Sequence, residues 1–226
     1  LKGETAFLNS VTSTAELAFG LLLGLTRSLP SAAQAVLKGA WNNTDWRGRS
    51  LQGKTLGIIG LGRLGKMMAR FGNAFGMKVI YTDPVEKTDA YEWMDLDALL
   101  HGSDVISLHV PLDEKTGGLI GEDALAKMKR AALLINTSRG EIVDEQALLR
   151  ALEAGKIAGY ATDVLAGEND FGGDCSGHPL VRYAQEHNNV LITPHIGGMT
   201  REARTATDIF LATKLRQATG EGTRSA

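Results

Sequence analysis

The chain has 226 residues, 43% of them hydrophobic, and a formal net charge of -2. This suffices for a globular core of one large or two small domains and lacks the basic surplus of a nucleic-acid binder. The single cysteine, Cys175, excludes an intrachain disulfide and a thiolate metal cluster, which fits a reducing cytoplasm. No metal site is therefore expected. The longest apolar segment, Leu17 to Leu25, is broken by Gly20 and Gly24 and falls short of the ~20 residues that span a bilayer.

In chain order, Ser13 with Glu16 reads as a capping box opening a helix that is apolar nearly all round, through Leu25. Such a helix needs cover, either between domains or from another subunit. Ser31 is expected to cap a second helix through Lys38, and Gly39 to Gly53 reads as a connecting loop. From Lys54 onward short apolar runs alternate with helical patterns. Strands are expected at Thr55–Ile59, Lys78–Tyr81, Val105–Leu108, Ala132–Asn136, Ile157–Thr162 and Val190–Ile192. Helices are expected at Arg63–Phe75, Leu96–Leu100, Glu122–Lys127, Glu145–Ala154 and Thr200–Ala218, the basic run Lys127 to Arg130 being a solvated helix end. This alternation implies an α/β fold, a doubly wound parallel sheet with ligands outside the carboxyl ends of its strands. The expected organisation is a leading segment, 1–52, a cofactor-binding domain, 53–219, and a frayed tail, 220–226.

Gly60-Leu61-Gly62-Arg63-Leu64-Gly65 sits where the first strand hands over to a helix. The first glycine allows the tight turn, the second lets backbone approach a pyrophosphate, and the third brings helix and strand close. The helix N-terminus then offers free N–H groups and the positive end of its dipole. Asp83 ends the next apolar run, eighteen residues past Gly65, near the spacing of a carboxylate that takes ribose hydroxyls. It should favour NAD over a cofactor bearing a 2′-phosphate. His109, Thr137, Arg139, Asp163 and His195 also fall at or just past strand ends, so one crevice can gather them.

Arg139 has the planar fork for a carboxylate. Taken singly, it also reads as a surface charge, His195 as a structural histidine and Glu168 as a loop acid. Together they supply what hydride transfer to a 2-keto acid needs: a cation for the carboxylate, an acid/base for the oxygen, and an acid that fixes the imidazole tautomer.

From Glu16 to about Phe210 the sequence resembles the D-isomer-specific 2-hydroxyacid dehydrogenases. The resemblance rests on Gly53 through Gly65, on His109-Val110-Pro111-Leu112 with Thr116, on Asn136-Thr137-Ser138-Arg139-Gly140, and on Thr193-Pro194-His195-Ile196-Gly197-Gly198. It implies a Rossmann-type NAD-binding domain of an NAD-dependent enzyme that interconverts a 2-hydroxy and a 2-keto acid. It makes Arg139 the substrate-carboxylate arginine, Glu168 the partner acid and His195 the general acid/base. Gly60, Gly62, Arg63, Leu64 and Gly65 would meet the pyrophosphate, Asp83 the ribose, and Asp163 the carboxamide. Thr116, Thr137, Ser138 and Arg139 would lie on the nicotinamide side, with His109, Val110, Pro111, His195, Gly197 and Gly198 completing the cofactor contacts.

A cytoplasmic protein with neither nucleic acid nor membrane as partner is expected from the charge, hydropathy and cysteine count above; the sheet and the apolar first helix suggest a homodimer, which the resemblance supports together with a small acid as substrate. Two departures from the family pattern stand out. Asn169 to Gly177 is an insertion after Glu168, and the upstream segment that builds most of the family's substrate domain is missing, so the isolated chain is expected to turn over weakly. A non-enzymatic NAD-sensing, corepressor-like scaffold on the same fold is the alternative. A formate dehydrogenase is the nearest enzymatic rival, but it would carry glutamine where Glu168 stands.

Overall fold

The structure, a computed structural model, describes residues 4–219. Seven parallel strands lie in the order β3-β2-β1-β4-β5-β6-β7. They are β1 (Thr55–Ile59), β2 (Lys78–Thr82), β3 (Glu92–Trp93), β4 (Val105–Leu108), β5 (Leu133–Asn136), β6 (Gly159–Thr162) and β7 (Val190–Ile192). The order reverses between β1 and β4, which opens a crevice above their carboxyl ends.

Register aligns that edge. Ile59 is level with Thr82 and Leu108, Leu108 with Asn136, Asn136 with Thr162, and Thr162 with Ile192. The next residue of each chain segment, Gly60, Asp83, His109, Thr137, Asp163 and Thr193, therefore stands in one row along the top of the sheet.

Both faces are covered, as a parallel sheet requires. On one face, Leu56, Ile58, Tyr81, Ile135 and Ala161 pack against α2 (Ser13–Thr26) and α4 (Arg63–Ala74). On the other, Ile80, Ile106, Leu134 and Tyr160 meet α5 (Leu96–Gly102), α6 (Glu122–Lys127), α7 (Glu145–Glu153) and α8 (Pro179–Glu186). The remaining helices are α1 (Thr5–Ser10), α3 (Leu29–Leu37) and α9 (Arg201–Thr219).

Several local expectations are corrected. The cap of α2 is Thr12, whose Oγ1 lies 2.5 Å from Glu16 Oε1; Ser13 is already the first helical residue and buried. Helix α3 starts at Leu29, so Ser31 lies inside its first turn, after Pro30 and after Ser28, whose φ of 50° makes the sharp entry. Helix α2 is also not left waiting for a partner. Ala15, Ala18, Phe19, Leu21, Leu22 and Leu25 are buried against the chain's own sheet and α4. Elements α1, α8 and β3 were not anticipated: α8 follows the insertion with Pro179 at its start, and β3 is only two residues long. Residues 220–226, expected to be a tail, lie outside the described residues.

Candidate functional site

The glycine turn has the expected division of labour. Gly60 has φ of 92°, and a Cβ there would lie 2.6 Å from the His109 carbonyl oxygen. A Cβ at Gly65 would lie 2.0 Å from Gly60 O, so only glycine lets α4 approach β1. Around Gly62 nothing lies within 4 Å of such a Cβ; the space is open on the side a ligand would occupy. The first helical bond of α4 is Lys66 N to Gly62 O at 2.9 Å, so the amides before it lack intrahelical partners and form an anion cradle.

Asp83 stands at the end of β2. Its Oδ2 accepts from Leu61 N at 2.8 Å, and its Oδ1 accepts from Val85 N and Glu86 N, both at 2.8 Å. The carboxylate thus ties the glycine turn to the β2 loop while remaining at the rim. The Arg63 guanidinium is turned away from the turn, donating to Leu8 O at 2.8 Å and to Val11 O. Its backbone, rather than its side chain, faces the cradle.

Above β4 to β7 a cleft of about 290 Å³ is lined by Leu64, His109, Val110, Pro111, Thr137, Ser138, Arg139, Asp163, His195, Gly197 and Gly198. Every one of these had been singled out from sequence. Thr14, at the start of α2, also lines the cleft and had not; nothing local in the sequence marks it, because it arrives through the packing of α2. Thr116 is not among the lining residues. Its hydroxyl donates to Pro111 O at 2.6 Å and accepts from Asp113 N at 2.8 Å, so it braces its own loop.

Two polar atoms in this cleft, Thr137 Oγ1 and His109 Nδ1, are buried without a hydrogen-bond partner among the described residues. Unpaired buried polar atoms are costly unless something supplies the missing bond. Together with the open cradle at Gly62, they fit a dinucleotide laid from the glycine turn to the far strands. The other nitrogen of His109, Nε2, faces Ser107 Oγ at 2.9 Å, and burial pushes the imidazole down to about 4, so the ring is neutral at neutral pH.

Arg139 leaves β5 through a turn held by buried Asn136, whose Nδ2 donates to Arg139 O at 2.8 Å and whose Oδ1 accepts from Ser138 N at 3.0 Å. The guanidinium is exposed, touches only Ser138 O at 2.5 Å among the described residues, and keeps donors to spare for an anion.

His195 Nδ1 lies 2.5 Å from Glu168 Oε1. Their side chains are 49% and 22% exposed, so the imidazole projects and the acid is tucked behind it. His195 has φ of 52°, a left-handed conformation uncommon for a residue with a side chain. Asp163 holds it there. This carboxylate, 1% exposed, accepts from Thr193 Oγ1 at 2.6 Å, Ile196 N at 2.8 Å and Gly197 N at 2.7 Å, closing the turn on both sides of His195. That bracing role was not read from sequence, which assigned Asp163 only a cofactor contact.

A larger apolar groove of about 780 Å³, bordered by Leu25, Pro30, Phe171, Val181, Leu191 and Glu168, meets the cleft at His195. Among the described residues no group of three or more His, Cys, Asp or Glu side chains could hold a metal ion, and no helix is long and apolar enough to cross a membrane.

Comparison with known proteins gives the family. Residues 19–197 match the family described as D-isomer specific 2-hydroxyacid dehydrogenase, NAD binding domain. The chain is 40% identical over 208 residues to a hydroxypyruvate reductase of Thermotoga maritima, covering 91% of this chain and 66% of that protein. It is 42% identical over 204 residues to a glyoxylate reductase of Thermococcus litoralis, covering 85% and 59%. The crystal structure of a D-lactate dehydrogenase from Aquifex aeolicus, complexed with NAD and lactic acid, superposes with a TM-score of 0.78 at 35% identity, covering 94% of this chain and 70% of that one. The chain thus spans about three fifths to two thirds of the two curated relatives' length.

Proposed function

Because this chain belongs to the D-isomer-specific 2-hydroxyacid dehydrogenase family, as its NAD-binding domain, we propose that it forms the cofactor-binding and proton-transferring half of an enzyme that interconverts a D-2-hydroxy acid and its 2-keto acid. The observation that carries the reading is the His195–Glu168 contact of 2.5 Å at the mouth of a cleft that also holds Arg139. The Gly60–Gly65 turn and Asp83 would hold the adenosine and pyrophosphate of NAD, and Thr137 and His109 the far end. When bound, NADH supplies the hydride.

The side chains divide the remaining work. Arg139 takes the substrate carboxylate with its unused guanidinium donors. Glu168 accepts from His195 Nδ1, which fixes the tautomer and leaves Nε2 for the substrate; protonated His195 gives its Nε2 proton to the substrate C2 oxygen, and in oxidation the Nε2 of neutral His195 takes it back. The names of the hydroxypyruvate and glyoxylate reductases support a small 2-keto acid as the substrate.

A cytoplasmic homodimer is part of the same reading. Its dimeric part is supported by α3 and the segment after it, where Leu37 and Trp41 are 80% and 91% exposed.

The test is NADH affinity by calorimetry together with reduction of glyoxylate and hydroxypyruvate by the whole protein, native and Arg139→Ala. The variant should keep NADH affinity within about threefold while kcat/KM for the keto acid falls on the order of a hundredfold or more, the loss expected of a charge-assisted bidentate contact. An equal loss of NADH affinity, or unchanged turnover, would remove Arg139 from the substrate site.

A further inference from the structure

The loop that carries Glu168 is held by three carboxylates on three consecutive amides. Glu168 Oε2 accepts from Leu165 N at 3.3 Å, Glu145 Oε1 from Ala166 N at 3.1 Å, and Glu141 Oε1 from Gly167 N at 3.3 Å. Glu145 is the best buried of the three. It opens α7, after Asp144 has already satisfied the Gln146 and Ala147 amides, so its own side chain is released from capping and reaches into the loop. Its other oxygen, Oε2, lies 3.1 Å from His178 Nε2, and the two side chains are only 10% and 12% exposed.

His178 stands at the entry to α8, directly after the insertion, and Phe171 of that insertion packs edge-on against its ring at 5.7 Å. Glu145 therefore joins α7, the loop after β6 and the end of the insertion at one point. The loop backbone has no slack on its other side. A Cβ at Gly140 would lie 2.1 Å from Ala166 N and 2.1 Å from the Leu165 carbonyl carbon.

We propose that Glu145, backed by His178, is a positioning residue for the proton-transfer pair: it clamps Ala166, and through it sets the reach of Glu168 to His195. This rests on the reading of Glu168 and His195 as that pair. A second carboxylate–imidazole contact thus stands behind the first, outside the cleft and away from the reacting atoms. The charged and titratable groups around Glu145 are Glu141 and Glu168, whose negative charges oppose its ionisation, His178, and the Tyr160 hydroxyl from β6. Burial and the two acids push the Glu145 carboxyl up to about 7, whereas burial lowers His178.

The test reads the titration midpoint of the His195 ring by NMR on the whole chain, in the native protein and in Glu168→Gln, Glu145→Ala and Glu145→Gln. Glu168→Gln sets the downward shift produced when the partner charge is lost. Glu145→Ala should reproduce most of that shift, because the loop is no longer clamped. Glu145→Gln, whose amide oxygen can still accept from Ala166 N, should reproduce little of it. A native midpoint in Glu145→Ala overturns the proposal. So do equal shifts in the alanine and glutamine variants, since those report loss of a nearby charge rather than of a clamp. If the alanine variant does not fold, Glu145→Asp, which keeps the charge but falls short of Ala166, replaces it with the same expected shift and the same overturning result. The readout requires no turnover, so failure of the reductase reading and failure of the clamp are distinguishable.

Discussion

The two ends of the strand-edge crevice are built on different plans. Above β1 and β2 the site is backbone: three glycines, the open amides of α4 and one rim carboxylate, Asp83, that takes three amides from residues 61 to 86. Above β6 and β7 it is side chains held under tension. His195 sits at a positive φ, fixed by buried Asp163 from another strand, and Glu168 is borne on a loop gripped from α7. A cradle for phosphate needs only close approach and dipoles, which backbone supplies. A proton donor must present one ring nitrogen in one direction, and that takes a supporting shell.

This difference predicts where substitutions hurt most. The largest effect belongs to Asp163→Ala. It removes the acceptor of three donors, two of them backbone amides beside the strained His195, and it should lower stability by roughly 3–5 kcal/mol. Urea denaturation reads the loss. A cost under about 1 kcal/mol would show that the turn stands without its carboxylate, and the contrast between the two ends would fail.

A second effect is set by pH and separates buried groups of the two plans. His109, at the end of β4, is lowered from 6.5 to about 4 by burial. The native state then binds fewer protons than the unfolded chain, so its contribution is full above pH 6.5 and is lost as pH falls toward about 4, roughly 3 kcal/mol in all. His178, also lowered, acts in the same direction. Glu145, raised from 4.5 to about 7, acts oppositely: its contribution is full below pH 4.5 and is lost as pH rises toward 7. Between pH 4.5 and 6.5 the His109 and Glu145 terms offset, so native stability should rise only gently with pH, through the His178 term. His109→Asn removes one side of the balance, so its stability relative to the native protein should climb by about 2 kcal/mol or more on going from pH 7 to 4.5. Parallel stability curves for the two proteins would show that the His109 ring titrates normally.

The same division explains what the sequence made legible. Gly60 to Gly65 and Asp83 are local signals, a turn and a spacing, and the structure puts them where that reading expected. The strands past Lys54 other than β3 were legible because runs buried on both faces leave little choice of element, whereas β3 is two exposed residues with no such run. Asp163 as a brace, Thr14 in the cleft and the Glu145–His178 pair were not legible, since each acts across 20 to 180 residues of chain through packing that no local pattern encodes. The cap of α2 was misplaced by one residue for a smaller reason: Thr12 and Ser13 are both good capping residues, and geometry chose Thr12.

The smallest predicted effect tests the backbone plan at its most exposed point. At Gly62 an added methyl meets nothing within 4 Å, and the residue's φ of -66° suits any amino acid. Gly62→Ala should therefore cost only about 0.5–1 kcal/mol of stability, the ordinary preference for glycine over alanine at a helix N-cap. NADH affinity should nevertheless fall on the order of tenfold, about 1.4 kcal/mol, because the methyl takes the space through which a pyrophosphate approaches the α4 amides. Gly65→Ala is the control with the opposite balance. Its methyl would collide with Gly60 O at 2.0 Å, so the fold loses about 1–3 kcal/mol whether or not cofactor is present. Calorimetric titration with NADH beside urea denaturation separates the two substitutions. Undiminished affinity in a well-folded Gly62→Ala protein would mean that the pyrophosphate does not cross this turn, and the open space at Gly62 would then have no ligand to explain it.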